Sequence, residues 1–183
     1  MEKKTNVAKK EKSANPMREI RVEKVTLNIG AGEAGPKLEN SKELLKKLTG
    51  RTPTTTLAKI RAPTWHIKPG DPIGTKVTLR GANAETVLKN CLQAKESKVN
   101  NRSFDRNGNV SFGVPEYIDV PGAKYDAKIG IMGFDVCVTL SRKGKRVSIR
   151  RHAQAMAVGK KHLVTKDEAI AFMKGKFGVE VLE

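Results

Sequence analysis

The chain has few aromatic residues, almost no cysteine and too little acid to balance its base. Aromatic residues make up 4% of 183, with a single tryptophan, Trp65, so a core must be built mainly from aliphatic side chains. Two cysteines, Cys91 and Cys137, are too few for a disulfide framework. Cys91 falls in a helical pattern beside Leu92, and Cys137 lies between Val136 and Val138, which predicts two buried free thiols packing as small hydrophobes. His66, His152 and His162 are scattered singly, so no metal-ligand spacing exists. No stretch approaches the roughly 18 apolar residues of a membrane-spanning helix. The opening stretch MEKKTNVAKKEKSANP lacks the apolar segment of a signal peptide. Together these absences predict a soluble, intracellular protein without metal, cofactor or membrane anchor.

What is present is positive charge. Lys and Arg number 36 against 19 Asp and Glu, a net charge of +17 with a pI near 10. A field of that sign draws polyanions, and without an apolar anchor nucleic acid is favoured over a membrane surface. Hydrophobic residues at 38% suffice for the core of one domain with tails.

Residues 1–15 are lysine-rich and poor in hydrophobes, which predicts a disordered basic arm. A domain over 16–150 follows, then a C-terminal extension over 151–183 that ends in a helix. In "VTLNIG", Val25, Leu27 and Ile29 alternate with Thr26 and Asn28, the pattern of a half-buried strand. "GTKVTLRG" repeats it, with Val77 and Leu79 inward and Lys76, Thr78 and Arg80 outward. "GFDVCVTL" repeats it again, with Phe134, Val136, Val138 and Leu140 opposed to Asp135, Cys137 and Thr139.

Helices are expected from Pro36 to Gly50, with Leu38, Leu45 and Leu48 on one face, and from Asn83, as a cap, to Ala94. A last helix opens on a Thr165-x-x-Glu168 capping box, with Ile170, Met173 and Phe177 on its apolar side. Asn107-Gly108 marks a tight turn. The fold class is therefore α+β: a mainly antiparallel sheet, helices packed on one face, the other face open.

That open face collects Thr26, Asn28, Lys76, Thr78 and Arg80, short hydrogen-bonding side chains interleaved with cations. It reads either as a solvated sheet surface or as a nucleic-acid platform. Trp65, in the basic, proline-punctuated stretch "AKIRAPTWHIKPGDPIG", either covers a core edge or stacks on an unpaired base. In "PTTTLAKIRAP", Leu57 and Ile60 lie three apart, on opposite sides of any strand, so part of 53–63 is expected to project as a loop carrying Lys59 and Arg61. The stretch 141–162 holds Arg142, Lys143, Lys145, Arg146, Arg150, Arg151, Lys160 and Lys161 and no acid, a tract expected to bind phosphates.

Gly30-Ala31-Gly32-Glu33-Ala34-Gly35 matches a dinucleotide fingerprint literally but fails physically. Glu33 puts negative charge where pyrophosphate must sit, and Pro36 removes a helix N–H that should bind it. The strands also alternate rather than run continuously apolar. Serines have no histidine nearby in sequence and the acids are scattered, so no catalytic constellation is visible.

Four segments, "NPMREIRVEKVTLNIGAGEAG", "TGRTPTTTLAKIRAPTWHIKPGDPIGTKVTLRG", "SFDRNGNVSFGVPEYID" and "KYDAKIGIMGFDV", closely resemble the universal large-subunit ribosomal protein five family in its archaeal form. The resemblance runs from about residue 15 to 150, and the tail looks like the archaeal and eukaryotic extension. It implies a structural protein that binds 5S and large-subunit ribosomal RNA at the central protuberance. It also implies contact with transfer RNA in the P site and a bridge to a small-subunit head protein. By the family motif, 5S RNA is met by Asn28, Trp65 and Thr78, joined by Thr26, Lys76 and Arg80 on the same face. Arg51 stands where bacterial members carry glutamine, and it can donate but not accept hydrogen bonds. Lys59 and Arg61 fall on the loop directed at transfer RNA. The competing readings are a free-standing RNA chaperone or chromatin protein and, less well supported, an enzyme using the glycine turn; no small-molecule substrate is implied.

Overall fold

Strand β1 (Ile20–Gly30) takes the centre of the sheet because its alternation commits one side to the core: Val25, Leu27 and Ile29 are buried while Thr26 and Asn28 remain partly exposed. The computed structural model describes residues 15–32 and 35–182. Residues 1–14, nearly the whole of the expected arm, lie outside the described residues, as do Glu33 and Ala34 of the glycine turn and Glu183. β1 pairs antiparallel with β3 (Pro72–Leu79) on one side and β6 (Phe134–Arg142) on the other. β2 (Thr54–Leu57) extends the sheet beyond β3, and β5 (Val110–Val114) extends it beyond β6. The order is β2-β3-β1-β6-β5, with every pair antiparallel.

The helices cover the apolar side. Helix α1 (Pro36–Thr49) starts on a proline, whose missing N–H costs nothing in a first turn, and stops at Gly50, left-handed at φ 66°. It buries Leu38, Leu44 and Leu45. Helix α2 (Ala82–Ala94) buries Ala84, Leu88, Cys91 and Leu92. Its cap position is Gly81, not Asn83, which lies inside the first turn. The chain leaves β3 through a φ of 70° at Gly81, a conformation open to glycine and strained for residues that carry a Cβ.

Helix α3 (Lys166–Phe177) has the expected capping box, with Glu168 Oε2 accepting the Thr165 N–H at 3.1 Å. It buries Ala169 and Met173 in the same cluster as Leu27, Val77 and Val136. After α3, β7 (Glu180–Leu182) pairs in parallel with β4 (Lys98–Asn100) to form a second, two-stranded sheet. The fold is thus α+β with a mainly antiparallel sheet, as the alternation implied.

Candidate nucleic-acid interface

Strand register arranges the polar face in rows. In one row Thr54 pairs with Lys76, Lys76 with Asn28, Asn28 with Asp135, and Asp135 with Gly113. In the next, Thr78 pairs with Thr26, Thr26 with Cys137, and Cys137 with Ser111. Opposed residues of an antiparallel pair hold their Cβ atoms about 4.5–5.5 Å apart. The structure therefore brings Thr26, Asn28, Lys76 and Thr78 into one compact patch.

Arg51 joins this patch from outside the sheet. It follows the left-handed Gly50, its N–H donates to Thr49 Oγ1 at 3.3 Å, and it lines a groove with Thr54, Lys76 and Thr78. Among the described residues neither Arg51 nor Lys76 forms an ion pair, and Arg80, just beyond β3, is likewise unpaired and exposed. The face is polarised, basic over β3 and the adjoining Arg51 and neutral to acidic over β6 and β5, where Asp135 is exposed.

Cys137 corrects one expectation. It is exposed on this face, whereas Cys91 is buried behind it. Apolar neighbours in sequence point to the opposite side of a strand, so Val136 and Val138 are evidence that Cys137 faces outward. Burial holds the Cys91 thiol up at about 12, and partial burial followed by the nearby Asp135 charge also raises the Cys137 thiol. Alternation does not single out Thr54, although its place in "TPTTT" marks a polar edge strand.

Trp65 does not stand in those rows. β2 ends at Leu57, and the chain continues as an irregular arm that returns to β3 at Pro72. Ala58 N–H donates to Asp71 O at 2.8 Å, Gly70 N–H to Ala58 O at 2.9 Å, and Ala62 bridges Ile67. The tip is a short 3-10 turn, Pro63–Trp65, closed by His66 in the left-handed region at φ 54°. Trp65 is 71% exposed there, which removes the reading of a ring covering the core edge. It lines an open cleft with Ala31 and Gly32 of the β1–α1 turn and with Pro36 and Lys37 of α1. Lys59 and Arg61 lie on the same arm, exposed and without an ion pair among the described residues.

In the glycine turn, the first two N–H groups after β1 are already used. The N–H groups of Ala31 and Gly32 both donate to Ile73 O at 3.0 Å, so neither is free for a phosphate.

The basic tract differs from expectation in a physical way, because its cations are not all unopposed. Arg142 is buried and its Nη2 meets Glu168 Oε1 at 2.6 Å. Lys143 pairs with Glu19 at 2.6 Å, lowering the Glu19 carboxyl through a hydrogen bond and the lysine charge. Lys145 pairs with Glu23 at 2.5 Å. The balancing acids come from the start of the sheet and from α3, far away in sequence. Arg150 folds back, its Nε and Nη2 donating to Gln154 O at 3.0 and 2.9 Å. Arg146, Arg151, Lys160 and Lys161 are exposed and make no ion pair among the described residues. No group of three His, Cys, Asp or Glu that could hold a metal ion occurs among the described residues, and no helix there is long and apolar enough to cross a membrane.

Comparison with known proteins agrees with this architecture over nearly the whole described chain. Residues 15–68 match the family described as ribosomal protein L5, and residues 72–172 match the C-terminus of the same ribosomal family. The chain is 49% identical over 169 residues to the large ribosomal subunit protein uL5 of Nanoarchaeum equitans, covering 92% of this chain and 99% of that one. It is 46% identical over 171 residues to the uL5 protein of Sulfurisphaera tokodaii, covering 93% of this chain and 97% of that one. For the uL5 protein of Methanospirillum hungatei the identity is 45% over 167 residues, covering 91% and 99%. Two adjoining family matches and relatives aligned almost end to end have one meaning: this chain belongs to the ribosomal protein L5 family, whose members are structural rather than enzymatic components of the large ribosomal subunit.

Proposed function

We propose that within the large subunit this chain binds 5S ribosomal RNA through the patch of Thr26, Asn28, Arg51, Lys76, Thr78 and Arg80, and so helps attach that RNA to the central protuberance. The arm of residues 58–71 reaches transfer RNA in the P site through Lys59 and Arg61. Trp65 at its tip meets an RNA base, and the chain bridges to a protein of the small-subunit head. The free cations of the basic tract contact large-subunit ribosomal RNA. The protein works in the ribosome of the cytoplasm.

The observation that carries this reading is the pairing of Asn28 with Lys76 and of Thr26 with Thr78, beside Arg51. A core-building sheet needs only one apolar face. Here the opposite face offers cations for phosphates and short donors and acceptors for sugars and bases, chemistry suited to RNA. Removing Asn28 and Lys76 together, as Asn28→Ala with Lys76→Ala, is expected to lower affinity for 5S RNA while leaving thermal stability within about 0.5 kcal/mol, as for ordinary surface changes. Equal loss for every RNA tried would favour a general RNA chaperone or chromatin protein.

A further inference from the structure

At the end of the polar face away from Arg51 and Trp65, the chain forms a recess of about 430 Å³, within the usual range of small-ligand pockets. Its floor is Thr139 and Ser141 of β6 with Lys24, the registered partner of Thr139 on β1. One wall is the turn that carries Asn107 and Asn109. The other is the segment of Val158, His162, Leu163 and Val164.

The walls are locked together. Gly108 sits at φ 72°, and a Cβ there would come within 2.7 Å of Val164 Cγ1, so the turn presses on the opposite wall with no space for a side chain. Within the turn the Asp105 N–H donates to Asn109 O at 2.9 Å. The far wall is pinned by His162 Nε2, which donates to Lys143 O at 2.9 Å, and by Arg142 Nη1, which donates to Lys161 O at 3.3 Å. These contacts tie the two walls to each other and to the end of β6.

Its lining has unfilled hydrogen-bonding capacity. Ser141 is only 5% exposed and its hydroxyl has no partner among the described residues. The Asn107 amide and the Thr139 hydroxyl also make no hydrogen bond within the described protein. Charge, by contrast, is nearly satisfied: Glu23 neutralises Lys145 and Glu168 neutralises Arg142, leaving Lys24 as the cation without an acid among the described residues. Leu140, Val158 and Leu163 add apolar surface.

One free cation is too little for a polyphosphate, and so many open donors and acceptors do not suit an aliphatic side chain. Flat groups with donor and acceptor edges, carrying one negative charge, fit. We propose that this recess receives a single unstacked nucleotide of ribosomal RNA. Its base edge is read by the Asn107 amide, the Ser141 hydroxyl and the side-chain oxygen of Asn109, whose Nδ2 donates to Asp105 Oδ2 at 3.4 Å; its faces lie against Val158 and Leu163, and its phosphate rests on Lys24. The site reads a base by its edge, whereas Trp65 offers mainly a stacking surface. The inference rests on the ribosomal RNA reading above.

The test is a nuclear magnetic resonance titration of the full chain with AMP, GMP, CMP and UMP, and with inorganic phosphate as the control. At least one nucleotide is expected to shift the side-chain amides of Asn107 and Asn109 and the amide of Ser141 saturably, while phosphate at the same concentration does not. Asn107→Ala, on an exposed turn, should weaken that nucleotide about threefold to tenfold, the loss of one or two hydrogen bonds, without moving distant resonances. If no nucleotide shifts these residues, or phosphate shifts them equally, the proposal is overturned. Binding of 5S RNA to the same sample separates the two readings. Normal 5S binding with a silent recess removes the nucleotide site alone. Nucleotide binding in the recess without 5S binding keeps the site and removes the 5S assignment.

Discussion

Arg142 Nη2 lies 2.6 Å from Glu168 Oε1 while the other oxygen of the same carboxylate accepts the Thr165 N–H at 3.1 Å. One side chain therefore starts helix α3 and neutralises a buried guanidinium at the end of β6, tying the C-terminal helix to the sheet. Glu168→Ala would leave Arg142 buried and uncompensated as well as removing half of the capping box. The expected cost is about 3 kcal/mol, the low end for breaking a buried pair because Glu168 is itself 41% exposed. Urea denaturation measures it. A loss below about 0.5 kcal/mol, typical of a surface pair, would show that Arg142 finds another acceptor.

Cys137 and Cys91 should separate in a thiol-alkylation experiment. The thiolate is the reactive form, and both thiols are raised, so reaction of the native protein at neutral pH is expected to be slow and to quicken as pH rises. Only Cys137 should react before unfolding, because Cys91 is buried with its thiol pushed up to about 12. Cys137 pairs with Thr26 on the polar face, so bound 5S RNA should protect it. Full reactivity at saturating 5S RNA would move the RNA off this part of the sheet.

These predictions draw on features of unequal legibility in the sequence. β1, β3 and β6 could be read because each alternates over several residues, and the rows of the polar face follow from that alternation once the register is known. Register itself could not be read, since nothing local says that Asn28 lies opposite Lys76 rather than another cation. β5 escaped notice although Val110, Phe112 and Val114 alternate, because it is short, includes Gly113 and follows a run of turn residues. β4 and β7 have three residues each and owe their pairing to the packing of Val99 and Val179 into the core. The tract 141–162 misled for another reason. Its acids, Glu19, Glu23 and Glu168, are local to other elements, so a charge count along the chain overstated the free positive charge.

That distinction predicts which cations govern the salt dependence of RNA binding. Arg151 and Lys160 are exposed and make no ion pair among the described residues, whereas Lys143 and Lys145 are paired. Replacing Arg151 and Lys160 with Gln should reduce the slope of log affinity against log salt by roughly 0.7–0.9 for each phosphate that is no longer neutralised. Replacing Lys143 and Lys145 should change that slope less. Equal slopes for the two double variants would mean that RNA displaces Glu19 and Glu23 from their lysines.

The arm of residues 58–71 places Trp65 at its tip and Lys59 and Arg61 along its length, so ring and cations share one support instead of belonging to separate surfaces. Trp65 is the sole tryptophan, so its fluorescence reports on the tip alone. If the tip meets 5S RNA, adding that RNA to the free protein should change the emission, and Trp65→Ala should weaken binding by about 1–3 kcal/mol, the range for a stacked base. Stability should hardly change, because a ring 71% exposed contributes little to the core. The cations are expected to behave differently. Lys59→Ala with Arg61→Ala should leave isolated 5S RNA binding nearly intact and speed the dissociation of P-site transfer RNA from assembled ribosomes. The decisive comparison is between the two variants on the two RNAs. Loss of 5S binding from both variants, with normal transfer RNA retention, would assign the whole arm to 5S RNA. Loss of transfer RNA retention from both, with unchanged fluorescence on adding 5S RNA, would assign it all to transfer RNA and leave 5S binding to the rows around Asn28 and Lys76.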